Sequence, residues 1–160
     1  MLKWTWLSAV IVFLDRLTKW QAEESLVIYQ AKEVTSFLNW KLIYNEGAAF
    51  SLFANQGGWQ RWFFIILAVA VSGFILNWLR TLERDERWTA IGLALVLGGA
   101  IGNLIDRIIS GKVVDFIDFH FPLPFINPDY HFATFNIADI GITVGAAILI
   151  FISLFSAAKD

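Results

Sequence analysis

Carboxylates in apolar surroundings are the residues of this sequence with the clearest potential for chemistry. Eight of the fourteen acidic residues fall in polar links or at a terminus, where solvated surface positions explain them. Two carboxylates held close together share a proton: the ionised one can draw a proton from water while the protonated one polarises a carbonyl. Such a pair would suit hydrolysis of a peptide bond. The six acids that remain as candidates are Asp15, Glu46, Asp106, Asp115, Asp118 and Asp139.

Asp139 is the most distinctive of the six, because it stands near the start of an otherwise apolar segment. Asn136 precedes it by three residues, which puts both side chains on one face of a helix. The two could form a polar site at membrane depth. They could equally cap the helix start, with Asn136 as the N-cap residue and Asp139 at the third position. Spacing leaves both interpretations open.

Asp115 and Asp118 belong to the stretch Val113-Val-Asp-Phe-Ile-Asp118. If the stretch is extended, alternation puts Asp115 and Phe119 on one face and Asp118 on the other. If it is helical, the two acids share a face. The sequence does not choose between these, so Asp118 stays an alternative to Asp115.

Other polar residues recur at helical spacing. Asn103 and Arg107 stand four apart and face the same way. Asp15 and Lys19 stand four apart in the favourable order of acid before base, which predicts an internal ion pair. Gly98 and Gly102 share the same spacing, and small residues so placed let helices approach closely in lipid. We expect them to bring the third and fourth helices together.

Composition excludes several classes of site. The absence of cysteine excludes cysteine nucleophiles and thiolate metal sites, and two histidines are too few for a multi-histidine metal site. We therefore expect no metal and no cofactor. The net charge of −2 by itself carries no message about nucleic acid, but there is no basic stripe, so we expect no nucleic-acid partner. No serine stands in a nucleophile-elbow pattern.

The apolar composition predicts an all-α integral membrane protein with four transmembrane helices in a single domain, residues 1–160. Hydrophobic residues make up 58% of the chain, charged residues only 16%, and the mean hydropathy is +0.61. The helices are predicted at about residues 2–20, 60–80, 88–109 and 132–158. The first is read as a retained helix, because no small-x-small cleavage site follows it. Four spans put both termini on one side, and Arg80, Arg84 and Arg87 weakly favour the cytoplasm for that side.

Two regions lie outside these helices. In the connection over residues 21–57, the partial alternation of Leu38, Trp40, Leu42 and Tyr44 predicts a short strand or hairpin at the membrane surface. The second region, residues 110–131, holds all three prolines and is predicted to be a loop. At this level the polar residues describe an acid-bearing pocket in a helix bundle, which could also be a proton or cation path in a small transporter or channel.

Five motifs, in this order along the chain, together resemble those of the lipoprotein signal peptidase (signal peptidase II) family. They run from residue 15 to residue 139, over most of the chain. The motifs are Asp15-Arg-Leu-Thr-Lys19, Asn45-Glu-Gly-Ala-Ala-Phe50, Gly98-Gly-Ala-Ile-Gly-Asn-Leu-Ile-Asp-Arg107, Val113-Val-Asp-Phe116 and Phe135-Asn-Ile-Ala-Asp139.

The resemblance implies an aspartyl peptidase of the bacterial inner membrane, with cytoplasmic termini and an active site toward the periplasm. The family's two catalytic aspartates fall on Asp115 and Asp139. Its substrates are prolipoproteins that carry diacylglycerol on the future N-terminal cysteine, and they are cut just before that cysteine. Membrane lipids and globomycin-type inhibitors are the other implied partners. The 21–57 connection resembles the family's surface β-cradle, whereas the proline-bearing stretch over residues 121–130 looks longer than in many relatives. The supporting site residues fall on Asn45, Asn103, Arg107 and Asn136.

Overall fold

The computed structural model describes residues 1–47, 58–123 and 127–156, which contain four long helices and a four-stranded sheet. A short 3-10 helix, Leu2–Trp4, leads into α1 (Thr5–Ser25). The other helices are α2 (Trp59–Thr81), α3 (Arg87–Ile109) and α4 (Ile137–Ser156). The strands are β1 (Ala31–Thr35), β2 (Leu38–Asn45), β3 (Val113–Leu123) and β4 (Asn127–His131).

α3 is the central helix, packing against α1, α2 and, most extensively, α4. Glycines permit the close approaches. A Cβ added at Gly98 would lie 2.9 Å from the Ser8 Cα of α1, and one added at Gly99 would lie 2.7 Å from Ile142 of α4. The expectation that Gly98 joins α3 to α4 is therefore wrong, because Gly98 faces α1. Gly102 lies between α1 and α4 and touches both.

Three helices are long and apolar enough to cross a membrane: α2, α3 and Ile137–Phe155 within α4. α1 has a similar length, with 21 residues, but it carries Asp15, Arg16 and Lys19 in its middle. Length and composition therefore support three spans among the described residues. The fourth span stays a prediction.

The sheet is antiparallel with strand order β1-β2-β3-β4, so β3 lies inside it and β4 at one edge. The strand predicted around Leu38 to Tyr44 is β2, but the loop predicted over residues 110–131 is wrong, since most of it forms β3 and β4. Pro122 is tolerated because it sits where the β3–β4 register shifts, and Pro128 because β4 is an edge strand. Pro124 lies outside the described residues.

α4 begins at Ile137 rather than near residue 132, because the preceding segment pairs with β3. The main-chain N–H of Phe132 donates to Phe119 O at 2.8 Å, and Phe135 N–H donates to Ile117 O at 3.0 Å. Backbone groups bound in this way are not free to form the first turn of a helix. The chain thus enters α4 directly from the sheet.

Two hydrophobic clusters hold the architecture together. One packs Leu79 of α2 and Leu93 and Leu97 of α3 in the interior of the bundle. The other joins Ala22, late in α1, to Phe116 and Ile117 of β3. The second cluster fixes the sheet against the end of α1, which brings β3 next to the start of α4.

Candidate active site

Asp115 and Asp139 come from two elements that meet at one cavity. Asp115 lies near the start of β3, and Asp139 lies in the first turn of α4. Both line a cavity of about 550 Å³. Asn45, Asn103 and Arg107 line the same cavity. The residues that the sequence singled out are therefore brought together, although they come from four different elements.

Asp115 is held by two side-chain amides. It is 2% exposed. Asn136 Nδ2 donates to its Oδ1 at 2.7 Å, and Asn45 Nδ2 donates to its Oδ2 at 3.2 Å. Burial, reinforced by the charge of nearby Asp139, raises the pKa of Asp115 to about 7. This carboxyl group can therefore hold a proton near neutral pH.

Asp139 makes the reciprocal cap with Asn136 and also faces the cavity. Its main-chain N–H donates to Asn136 Oδ1 at 2.9 Å, and its Oδ2 accepts the Asn136 main-chain N–H at 3.2 Å. This pattern is a capping box. Its other oxygen, Oδ1, accepts Asn103 Nδ2 at 2.8 Å. Asn136 and Asp139 can therefore cap the helix and also belong to a polar site, because the cap leaves one oxygen of Asp139 directed to α3.

Asn136 connects the two carboxylates. Its side chain is fully buried, and its Nδ2 lies within hydrogen-bond distance of Asp115 Oδ1, Asn103 Oδ1 and Val114 O. One residue thus contacts Asp115 through its amide and Asp139 through its cap. A short polar side chain of fixed orientation is well suited to keep two acids in a constant relative position.

Arg107 contacts the main chain rather than either carboxylate. Its Nη2 donates to Gly47 O at 3.0 Å, and its guanidinium lies 4.8 Å from the centre of the Phe64 ring. Gly47 follows the end of β2, so Arg107 ties that turn to α3. Part of the motif that begins at Asn45, namely residues 48–50, lies outside the described residues.

A second polar network lies behind the cavity, where α1 meets α3. Lys19 Nζ lies 2.8 Å from Asp15 Oδ2 and 2.7 Å from Asp106 Oδ2, and all three side chains are buried. Asp106 also pairs with Arg16 of α1. The predicted ion pair of Asp15 and Lys19 is therefore present, but as part of a larger network. The sequence signal for Asp106 was its position three residues after Asn103 on one helix face.

Asp118 points away from the cavity. It is 1% exposed and accepts Asn39 Nδ2 of β2 at 3.1 Å. On its other side it contacts His131 Nδ1 of β4 at 2.9 Å. Asp118 on β3 thus contacts both neighbouring strands, β2 and β4. It lies on the face of β3 opposite to Asp115, as expected for an extended strand.

The cavity wall next to Asp139 is apolar, and the sequence reasoning did not predict it. α4 contributes Ile140, Thr143 and Val144, and the segment before it contributes Phe132 and Phe135. Thr143 and Val144 follow Ile140 by three and four residues, and this helical spacing was the available signal. The two carboxylates, Asp115 and Asp139, therefore share their cavity with an apolar wall. Among the described residues, no three His, Asp or Glu side chains are arranged to hold a metal ion.

Comparison with known proteins identifies relatives over nearly the whole chain. The "Lipoprotein signal peptidase" of Pseudomonas syringae pv. tomato is 46% identical over 99% of this chain and 88% of its own length. That of Pseudomonas putida is 48% identical over 92% of this chain and 84% of its own. A solved structure described as a bacterial membrane enzyme superposes with a TM-score of 0.86 at 27% identity, covering all of this chain and 92% of that one. The family model for signal peptidase (SPase) II matches residues 7–155, and the chain belongs to that family.

Proposed function

We propose that this protein is an aspartyl endopeptidase that removes the signal peptide from diacylglyceryl-modified bacterial prolipoproteins, cutting just before the lipidated cysteine. Family membership supports the substrate class. The observation that carries the catalytic type is the pair Asp115 and Asp139 at one cavity, joined through Asn136.

The chemistry follows from the different surroundings of the two acids. Asp115 holds the shared proton in the resting site, because burial favours its neutral form. Asp139 acts as the general base and accepts a proton from water as the water oxygen attacks the scissile carbonyl carbon. Asp115 gives its proton to the carbonyl oxygen. The C–N bond then breaks as Asp139 passes its proton to the leaving nitrogen, and Asp115 recovers a proton from the hydroxyl of the tetrahedral intermediate.

The amides and the arginine have positioning roles in this proposal. Asn45, Asn103 and Asn136 each donate to a carboxylate oxygen, which fixes the rotamers of both acids. Arg107 holds the turn at Gly47 beside the cavity. Preorganised groups of this kind lower the barrier because they need not reorient during the reaction.

The apolar wall supports a lipidated substrate. A diacylglyceryl group on the cysteine would lie against Phe132, Ile140 and Val144 while the bond before the cysteine reaches the two acids. Burial of aliphatic chains on such a wall contributes about 0.8 kcal/mol per methylene. The acyl chains would therefore supply much of the substrate affinity.

The exposed and buried faces of α1 support a fourth membrane span. Asp15 and Lys19 are fully buried against α3, whereas exposed positions on α1 are occupied by apolar residues such as Trp6, Val10, Phe13 and Leu17. A helix with its charges paired inside the bundle and apolar side chains outside is compatible with lipid.

Four spans would put both termini on the side of the α2–α3 link. Arg80, Arg84 and Arg87 of that link favour the cytoplasm for this side. Asp115 follows the far end of α3, and Asp139 lies at the start of α4. The site would accordingly face the periplasm from the inner membrane.

The test is cleavage of a diacylglyceryl-modified prolipoprotein peptide by purified protein in lipid. Wild type is expected to cut before the modified cysteine. Asp115→Asn and Asp139→Asn preserve side-chain size, and each should fold but lose at least about 10²-fold in kcat/KM. The same peptide without the lipid is the substrate control and should be cut poorly. A folded variant with near-normal activity would remove that aspartate from the mechanism.

A further inference from the structure

Lys19 is a buried cation that is connected to Asp139 through one residue, Asn103. Its side chain is fully buried, and besides Asp15 and Asp106 it has a third contact: Nζ donates to Asn103 Oδ1 at 3.0 Å. The contact with Asp15 Oδ2 is an ion pair at 2.8 Å. An ammonium group has three donors, and here it faces three acceptors.

The contact with Lys19 determines which way the Asn103 amide points. Asn103 Oδ1 accepts from Lys19 Nζ and from Asn136 Nδ2, at 3.0 and 3.2 Å. Its Nδ2 is therefore directed to the Asp139 carboxylate, at 2.8 Å. A flipped amide would put its NH₂ group against the ammonium of Lys19 and its oxygen against a carboxylate, and both contacts are repulsive. The charge on Lys19 thus selects the donor orientation that Asp139 requires.

Asp15 contacts the main chain next to Asp139. Its Oδ1 accepts the Ala138 N–H at 2.9 Å, directly before Asp139 in the chain. Gly102 makes room for this carboxylate, since a Cβ there would lie 2.7 Å from Asp15 Oδ2. Among the described residues, Asp115 is held by Asn45 and Asn136 rather than by either residue of the pair.

From these contacts we infer that Lys19 and Asp15 are positioning residues for Asp139: Lys19 orients the Asn103 amide that binds it, and Asp15 anchors its backbone. The inference rests on the aspartyl mechanism proposed above. A pair that only attached α1 to the bundle would have no need to contact Asn103 or Ala138. The pair therefore links the folding of α1 to the geometry of one of the two acids.

Arg16 offers a matched control for Lys19. Both cations come from α1 and both pair with Asp106, but of the two only Lys19 donates to Asn103 in the described part of the chain. Lys19→Met and Arg16→Met each remove one cation from the same carboxylate. Only Lys19→Met releases the Asn103 amide.

The experiment compares steady-state cleavage of the lipidated peptide by these variants across pH. Lys19→Met is expected to lower kcat by about 10- to 100-fold with KM changed by less than about twofold, as when a group that orients an active-site residue is lost. Its pH–rate profile should also move to higher pH, because one cation near the acids is gone while Arg107 and the anions Asp15 and Asp106 remain. Arg16→Met should keep the wild-type profile.

Buried Asp15 loses its partner in Lys19→Met, so folding of this variant must be measured. The double variant Asp15→Asn, Lys19→Met removes the pair together and leaves Asp106 with Arg16. It should show the same fall in kcat. Folded variants with wild-type kcat and pH profile would overturn the inference, and so would failure of both variants to fold, because the pair would then be needed for the fold alone. Asp139→Asn is assayed in parallel: if it stays active, the aspartyl mechanism itself is wrong.

Discussion

Asp115 and Asp118 lie three residues apart on β3 and are almost equally buried, at 2% and 1% exposure. Asp118 bonds to neighbours on both sides, Asn39 on β2 and His131 on β4. Asp115 instead faces a cavity and lies near a second carboxylate, Asp139. Burial of an acid therefore does not distinguish Asp115, the proposed catalytic residue, from Asp118. The distinguishing features are open space beside the carboxyl group and a second acid with which it can share a proton.

The largest effects that separate Asp115 from Asp118 are expected when each acid is replaced in turn by its amide. Asp115→Asn should lower kcat/KM by at least about 10²-fold, because a general acid is lost. Asp118→Asn should leave the activity of folded protein within about threefold of wild type, because it touches neither the cavity nor its amides. Peptide cleavage assays on protein matched for folded content measure both effects. Equal losses in the two variants would mean that Asp118 contributes to the chemistry.

Replacement of Asp118 should lower the stability of the fold. Asp118→Asn weakens the contact with His131 and is expected to lower the free energy of unfolding by about 1–3 kcal/mol. Glu33→Gln on the exposed strand β1 is the surface control, with an expected change within about 0.5 kcal/mol. Thermal denaturation in detergent compares them. An unchanged midpoint for Asp118→Asn would show that the cross-strand contacts add little.

The pH dependence of activity should also distinguish Asp115 from Asp118. The pKa of Asp115 is raised to about 7, so kcat/KM should fall as pH rises through about 7 and the general acid loses its proton. Above that value the fall should approach about tenfold per pH unit. Asp118→Asn should show the same alkaline limb as wild type. A wild-type profile flat from pH 6 to 9 would contradict the assignment of the proton to Asp115.

The raised pKa of Asp115 also predicts how the free energy of unfolding changes with pH. The folded state of wild type binds the Asp115 proton more tightly than the unfolded state, whose ordinary pKa is 3.8. This contribution to the free energy of unfolding is present below about pH 4 and is lost as pH rises to about 7. Wild type should therefore lose stability relative to Asp115→Asn over this interval. Denaturation midpoints at pH 5 and pH 8 give the sign.

Local spacing accounts for the part of the site that the sequence predicts well. Asn136 and Asp139 interact across one helical turn, so their mutual cap follows from a spacing of three residues. Asp15 and Lys19 pair across four residues in the same way. The family motifs then bring Asp115 and Asn103 to the same site without any local physical argument. That step depends on resemblance rather than on periodicity.

Contacts between distant segments account for what the sequence did not predict. Asn39 bonds to Asp118 across 79 residues, and Arg16 bonds to Asp106 across 90. The hairpin of β3 and β4 was missed because prolines argue against strands, and only the pairing shows that Pro122 stands at a register shift. Neither composition nor periodicity contains this information. It arises when the sheet packs on the end of α1.

The smallest expected loss of activity concerns Arg107, a cation that lines the same cavity as Asp115. Its fork donates to Gly47 O and its plane lies over the Phe64 ring, so Arg107→Lys preserves the charge but loses the shape. If positioning of the turn is its main role, kcat/KM should fall about tenfold. The pH profile should stay in place, because the charge near Asp115 is retained. A profile that shifts in Arg107→Lys would instead assign Arg107 an electrostatic role toward the two acids.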